Sequence, residues 1–230
     1  MKVILTGSTG FIGSEILAQA IDRSFITSII CITRRALPES ISSNPKVKVI
    51  ILKDFTSYPP EVLSQLSGAE ACIWALGLPS TSSQTTEIEY TLTAATTFSQ
   101  HLAPDLKSKG EKFRFVYLSG MLANRDASKK LWFLQEKRTM KGTIENGLLE
   151  LEQKEESNME IIIARPGGVL PKATIVPDLL VGLTKSIKVD ELAAFLVMSC
   201  TAKKEGERTL ENDAVRKAGR LALVLWSSAE

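Results

Sequence analysis

In the stretch KVILTGSTGFIGSE (residues 2–15) a run of β-formers gives way to three glycines, Gly7, Gly10 and Gly13, and then to the helical periodicity of FIGSEILAQAIDRS (11–24). A strand, a glycine turn and a helix in direct succession put each glycine where a side chain would interfere. One lies in the tight turn, one where backbone must approach a ligand, and one where the helix packs on the strand. The first N–H groups of the helix lack partners within it and stand at the positive end of its dipole. The segment is therefore suited to hold a pyrophosphate, with Thr9, Phe11 and Ile12 sharing the surface between the glycines.

Downstream of this unit the pattern repeats. SIICIT (28–33), VKVIIL (47–52), ACIWAL (71–76), FRFVYLS (113–119) and EIIIAR (160–165) are apolar runs rich in β-branched or aromatic residues. Continuous rather than alternating apolar strands belong to a parallel sheet covered on both faces. Helical patterns lie between them: PEVLSQLS (60–67), TEIEYTLTAATTFSQHLAPDLKSK (86–109) and a long one from about Leu131 to Glu156. Such alternation predicts an α/β fold, a doubly wound parallel sheet with right-handed crossovers. After Arg165 the strand signal fades. VDELAAFLVMSC (189–200) and ENDAVRKAGRLALVLW (211–226) read as helices, with a short strand near RTLE (208–211). A single domain is expected, with a nucleotide-binding core over about 1–166 and a small helical appendage on the substrate side over about 167–230.

Composition narrows the function classes. The 28 basic and 26 acidic residues are mixed along the chain and leave a formal net charge of +2, a balance that recruits neither nucleic acid nor an anionic membrane. No apolar run reaches the ~20 residues of a membrane span, and the apolar start is too short for a signal peptide. Cys31, Cys72 and Cys200 stand in apolar surroundings without metal-ligand spacing. They read as small buried hydrophobes in a reducing compartment, so a cytoplasmic location and no metal are expected. The helices flanking the sheet allow a homodimer, but KSKGEK and EQKEES make their ends polar, which keeps a monomer open.

At the end of the second strand, where NAD-binding versions of this arrangement carry an acidic residue for the ribose 2′-hydroxyl, the sequence has Arg34 and Arg35. A guanidinium fork suits a 2′-phosphate, so NADP(H) is expected in preference to NAD; a pair of solvated surface arginines is the other reading.

TGSTGFIG (6–13), TRR (33–35), KDF (53–55), ALG (75–77), YLSG (117–120), MKGTIE (140–145) and RPGGV (165–169) follow one another in order. In this series, covering about residues 1–170, the chain resembles the short-chain dehydrogenase/reductase superfamily of Rossmann-fold proteins. It is most similar to the small atypical branch that includes Tat-interacting-protein-like and NmrA-like NADP-binding members. The resemblance implies that Asp54 and Phe55 approach the adenine. It also implies that Ala75, Leu76 and Gly77 pass under the adenine ribose, and that Pro166, Gly167 and Val169 touch the nicotinamide side. Segments 77–86, 120–133 and 167–182 should wall the substrate crevice, the third hinting at a mainly hydrophobic pocket.

In catalytic members of the superfamily a serine orients the substrate carbonyl, a tyrosine donates the proton, and a lysine four residues on binds the ribose and lowers the tyrosine pKa. Ser119 matches the serine and Lys141 the lysine, but Lys137 stands at the tyrosine position; read one turn earlier, with Lys137 as the lysine, the partner is Phe133. Either way the phenol is missing. Lys137 is either a solvated charge or, beside Lys141, an acid–base group of depressed pKa. Tyr90, on the helix lining the crevice, is a second proton donor to consider, with a packing role as the alternative. His101 ends a long helix away from the strand termini and reads as structural. Three functions follow. The protein is an atypical NADP(H)-dependent oxidoreductase acting on a small apolar carbonyl or enone compound, or an isomerase or cyclase on the same scaffold, or a non-catalytic NADP(H)-sensing regulator.

Overall fold

The computed structural model describes residues 1–77, 83–175, 178–201 and 207–228. The opening unit forms as its residues dictate: β1 (Lys2–Thr6) enters the glycine turn and α1 (Phe11–Asp22) leaves it, followed by β2 (Ser28–Thr33). One short turn of helix, α2 (Glu39–Ser42), precedes β3 (Val47–Ile51), and α3 (Pro60–Leu66) crosses to β4 (Ala71–Trp74). The third long helical pattern divides into α4 (Gln84–His101) and α5 (Ala103–Lys107) before β5 (Phe113–Leu118). Pro104 divides it, because it has no N–H to donate back to the preceding turn. The next helix, α6 (Gln135–Gln153), begins four residues later than its sequence pattern. Leu134 takes a left-handed conformation (φ 48°) and ends any continuation upstream. Then come β6 (Met159–Arg165), β7 (Gly168–Leu170), α7 (Asp178–Leu183), β8 (Ser186–Lys188), α8 (Val189–Met198), β9 (Thr209–Glu211) and α9 (Asn212–Ser227).

Seven strands form one sheet in the order β3-β2-β1-β4-β5-β6-β9, and every pairing in it is parallel. The doubly wound α/β fold predicted from the apolar runs is thus the one observed. Period-2 alternation sends each strand's residues to two cores. On β5, Phe113, Phe115 and Tyr117 join Trp74 and Phe98 beneath α3–α6. Val116 joins Leu5, Ile16, Leu17 and Phe195 beneath α1 and α8. The C-terminal stretch is woven into this scheme, since β9 is the seventh strand and α8 contributes Leu192, Phe195 and Leu196 to the second core. β7 and β8 pair with each other outside the main sheet. All three cysteines are buried and free, and burial pushes the Cys31 and Cys200 thiols up to about 12.

Candidate functional site

Strand order reverses between β1 and β4, and in open parallel sheets ligands bind beyond the C-terminal ends of the strands at such a switch point. A cleft of about 660 Å³ opens there. Its floor is the glycine turn. Gly7 has φ +73°, and a Cβ on it would stand 2.2 Å from the Ala75 carbonyl oxygen; a Cβ on Gly13 would stand 2.0 Å from the Gly7 oxygen. Gly10 is the N-cap of α1 and makes no side-chain cap, so the first N–H groups of that helix keep their bonding capacity where it borders the cleft.

The sequence-assigned residues Gly7, Thr9, Gly10, Phe11, Ile12 and Gly13 line one side. At one end Arg34 and Arg35 border the cleft with both side chains exposed. The turn carrying them is fixed by Thr33, whose hydroxyl donates to the Arg35 carbonyl oxygen at 2.9 Å. Ala75, Leu76 and Gly77 follow β4 directly beside the glycine turn, and Ser119, Lys141, Pro166, Gly167 and Val169 close the far end, toward β5 and β6. Asp54 and Phe55 are not brought to the cleft. The Asp54 carboxylate accepts from the backbone N–H and hydroxyl of Thr56 at 2.9 and 2.8 Å, bonds that hold its pKa below the usual range. Phe55 is fully buried, edge-on to Trp74 with ring centroids 5.8 Å apart and 5.5 Å from Tyr90. Tyr90 accordingly packs in the core margin rather than lining the cleft. His101 is exposed at the end of α4. Residues 78–82 and 176–177 of the expected crevice walls lie outside the described residues.

The far end holds a charge arrangement that the sequence reading missed. Ser119 follows β5 and is tied to β6 by its N–H, which donates to the Ala164 oxygen at 2.9 Å. Its hydroxyl donates to Glu145 Oε1 at 2.6 Å. Glu145 is fully buried on α6 and also receives Arg125 Nε at 2.7 Å and Arg165 Nε at 2.9 Å. The cluster extends to β9, where Arg165 pairs with Glu211 at 2.8 Å and Arg125 donates to the Thr209 hydroxyl at 2.7 Å. Lys141, one helical turn before Glu145, donates to Glu87 Oε1 on α4 at 2.8 Å, and its Nζ lies 5.1 Å from the centroid of the Tyr117 ring. Burial would lower the Lys141 pKa, but Tyr117 and Glu87 outweigh it and hold the group above its ordinary value. A phenol therefore does lie beside Lys141, though within the core. Burial pushes Tyr117 up to about 12, partly offset by Lys141, and its side chain is fully buried.

A second pocket of about 280 Å³ adjoins the cleft through Gly120, Lys141, Pro166 and Gly167. Met121, Leu122, Ala123 and Leu134 give it apolar walls. Lys137 is an exposed residue at its edge. Arg138, also a lining residue and part of α6, donates to the Leu122 oxygen of the loop after β5 at 2.9 Å.

A family model described as NAD(P)H-binding matches residues 7–203. The chain belongs to this NAD(P)H-binding family. Over 119 residues it is 36% identical to Leucinostatins biosynthesis cluster protein T of Purpureocillium lilacinum, a match covering 52% of this chain and 42% of that protein. The match thus spans less than half of that relative's length. Among solved structures, serine dehydrogenase from Escherichia coli is similar at a TM-score of 0.66 and 15% identity, over 92% of this chain and 96% of that one. A short-chain dehydrogenase from Burkholderia cenocepacia J2315 in complex with NADP gives 0.63 and 16%, over 100% and 97%. At these identities the likeness speaks for the fold. The chain is thus a member of an NAD(P)H-binding family with a Rossmann fold, a broader placement than the Tat-interacting and NmrA-like branch. No helix among its described residues is long and apolar enough to cross a membrane.

Proposed function

We propose that the protein is an NADP(H)-dependent reductase of the atypical short-chain type, acting on a small, largely apolar carbonyl or enone compound. The observation that carries this reading is the position of Lys141, which lines both the nucleotide cleft and the apolar pocket beside it. A nicotinamide nucleotide, when bound, supplies the hydride. The residues fit such a group. The glycine turn leaves space that side chains would fill, and Arg34 and Arg35 stand exposed at one end of the cleft, where guanidinium groups favour a 2′-phosphate. Lys141, held in its charged form beside Tyr117 and Glu87, presents an ammonium where a substrate oxygen gains negative charge and stabilises that charge, the proton coming from solvent. The adjoining pocket, walled by Met121, Leu122, Ala123 and Leu134, suits an apolar body.

The absence of a phenol at the expected position favours a second reading, a protein that binds the nucleotide without turnover and reports its state. Titration with NADPH and with NADH, followed by tryptophan quenching, tests the shared part of both readings. NADPH should bind more tightly than NADH, and the double variant Arg34→Ala with Arg35→Ala should cost NADPH about ten- to hundredfold while leaving NADH nearly unchanged. Equal losses for both nucleotides would refute the assignment of the arginines. Transfer of deuterium from labelled NADPH to a product then separates the reductase from the regulator.

A further inference from the structure

Glu145 has no exposed surface, yet its surroundings keep it ionised. Burial would raise its pKa, but the hydrogen bonds from Arg165 and Ser119 and the charges of Arg165 and Arg125 hold it below the ordinary carboxylate value. Arg125 meets Oε2 at 2.7 Å, Arg165 Nε meets Oε1 at 2.9 Å, and a second Arg165 nitrogen also contacts Oε2. An ionised carboxylate accepts hydrogen bonds and donates none. The hydrogen in the 2.6 Å contact between Ser119 and Glu145 is therefore the serine's own. A hydroxyl has only one hydrogen, so in this arrangement Ser119 presents lone pairs to the cleft.

Position indicates which ligand group meets those lone pairs. Ser119 lines the nucleotide cleft but is not among the residues lining the apolar pocket, whereas Lys141 lines both. A substrate carbonyl oxygen needs a donor, and Lys141 is the donor at the junction. We infer that Ser119 acts as a hydrogen-bond acceptor for the primary carboxamide N–H of a nicotinamide nucleotide, with Glu145 as the positioning residue that fixes the hydroxyl in that sense. The inference rests on the nucleotide reading given above. It departs from the carbonyl-orienting role that the superfamily resemblance implied for the serine.

The test needs binding alone. The full chain is titrated calorimetrically with NADP⁺ and with its 3-acetylpyridine analogue, in which a methyl group replaces the amide nitrogen. The wild-type protein should prefer NADP⁺ by about five- to tenfold, the value of one hydrogen bond. Ser119→Ala should bring that ratio to about one by weakening NADP⁺ alone. Glu145→Gln, which allows the hydroxyl to turn, should shrink the ratio while leaving affinity for the analogue unchanged, a pattern that general loosening of the fold would not give. Should Glu145→Gln fail to fold with two guanidinium groups uncompensated, Ser119→Ala decides alone. A preference that survives Ser119→Ala, or equal affinity of the wild type for both nucleotides, overturns the inference. Failure of both to bind overturns the nucleotide reading and this inference with it.

Discussion

Replacing Glu87 by glutamine removes the charge opposite Lys141 while keeping the side chain's shape. The two atoms are 2.8 Å apart, and the side chains are 22% exposed for Lys141 and 9% for Glu87. At an effective dielectric of about 20 the bare attraction at that distance is about 6 kcal/mol, and desolvation of both groups cancels much of it. Removing one partner of a fully buried pair costs about 3–5 kcal/mol. Partial exposure of Lys141 and the surviving amide oxygen reduce this to about 2–3 kcal/mol. With a urea slope of about 2–3 kcal/mol/M, the midpoint should fall by about 1 M at pH 7.

The pH dependence has a definite sign. Lys141 is held above its ordinary value in the folded protein, so the pair's contribution is complete below the unfolded lysine pKa of about 10.4 and is lost as pH rises through the higher folded value. The gap between wild type and Glu87→Gln should therefore stay level from pH 7 to about 10 and narrow above that. An unchanged midpoint at pH 7, or a gap that ignores pH above about 10.5, would refute the role assigned to this pair.

Two further substitutions probe the scaffold. Gly7→Ala should destabilise by well over the ~1–2 kcal/mol of a left-handed alanine, because the new methyl would also meet the Ala75 carbonyl oxygen at 2.2 Å. Urea unfolding and NADPH titration should show both lowered stability and lost binding, and wild-type behaviour in either would contradict the packing of the turn. Thr91→Val keeps the volume but removes the acceptor for the buried Trp74 indole N–H, which donates at 3.0 Å. A loss of about 1–3 kcal/mol is expected from an unpaired buried donor, read as a lowered midpoint with tryptophan fluorescence altered; no change would mean the indole finds another partner.

The fold was legible because its signals are local. The glycine turn and the apolar strands each lie within a few adjacent residues, whereas the break at Pro104, equally local, was read through as one helix. β7 and β8 were missed where the equally short β9 was read, so three residues give no dependable period, and the start of α6 was misplaced because nothing in LWFLQE marks Leu134 as left-handed. The partners within the site were invisible for a different reason. Glu145 meets Ser119 across 26 residues, and Lys141 meets Glu87 across 54. Only a faint clue existed. MKGTIE places Lys141 and Glu145 one turn apart on α6, beside the apolar positions Met140, Ile144 and Leu148. Two opposite charges next to a core-facing stripe are candidates for partial burial. Phe55 shows the converse, a motif position matched by identity whose side chain turns inward.

The seventh strand has a consequence for the order in which the molecule matures. Glu211 and Thr209 on β9 complete the set of partners around Arg165 and Arg125, Arg165 and Glu211 standing 46 positions apart in the chain. The glycine turn, by contrast, needs only β1, α1 and the end of β4. Synthesis runs from the N-terminus at about 5–20 residues per second, so on a nascent chain the elements of the phosphate cradle emerge several seconds before β9. The guanidinium groups that hold Glu145, and through it Ser119, therefore gain their last partners only after every element of the cradle has emerged. Lesions in β9 should therefore loosen the hold on Glu145 and Ser119 without altering a residue of the glycine turn.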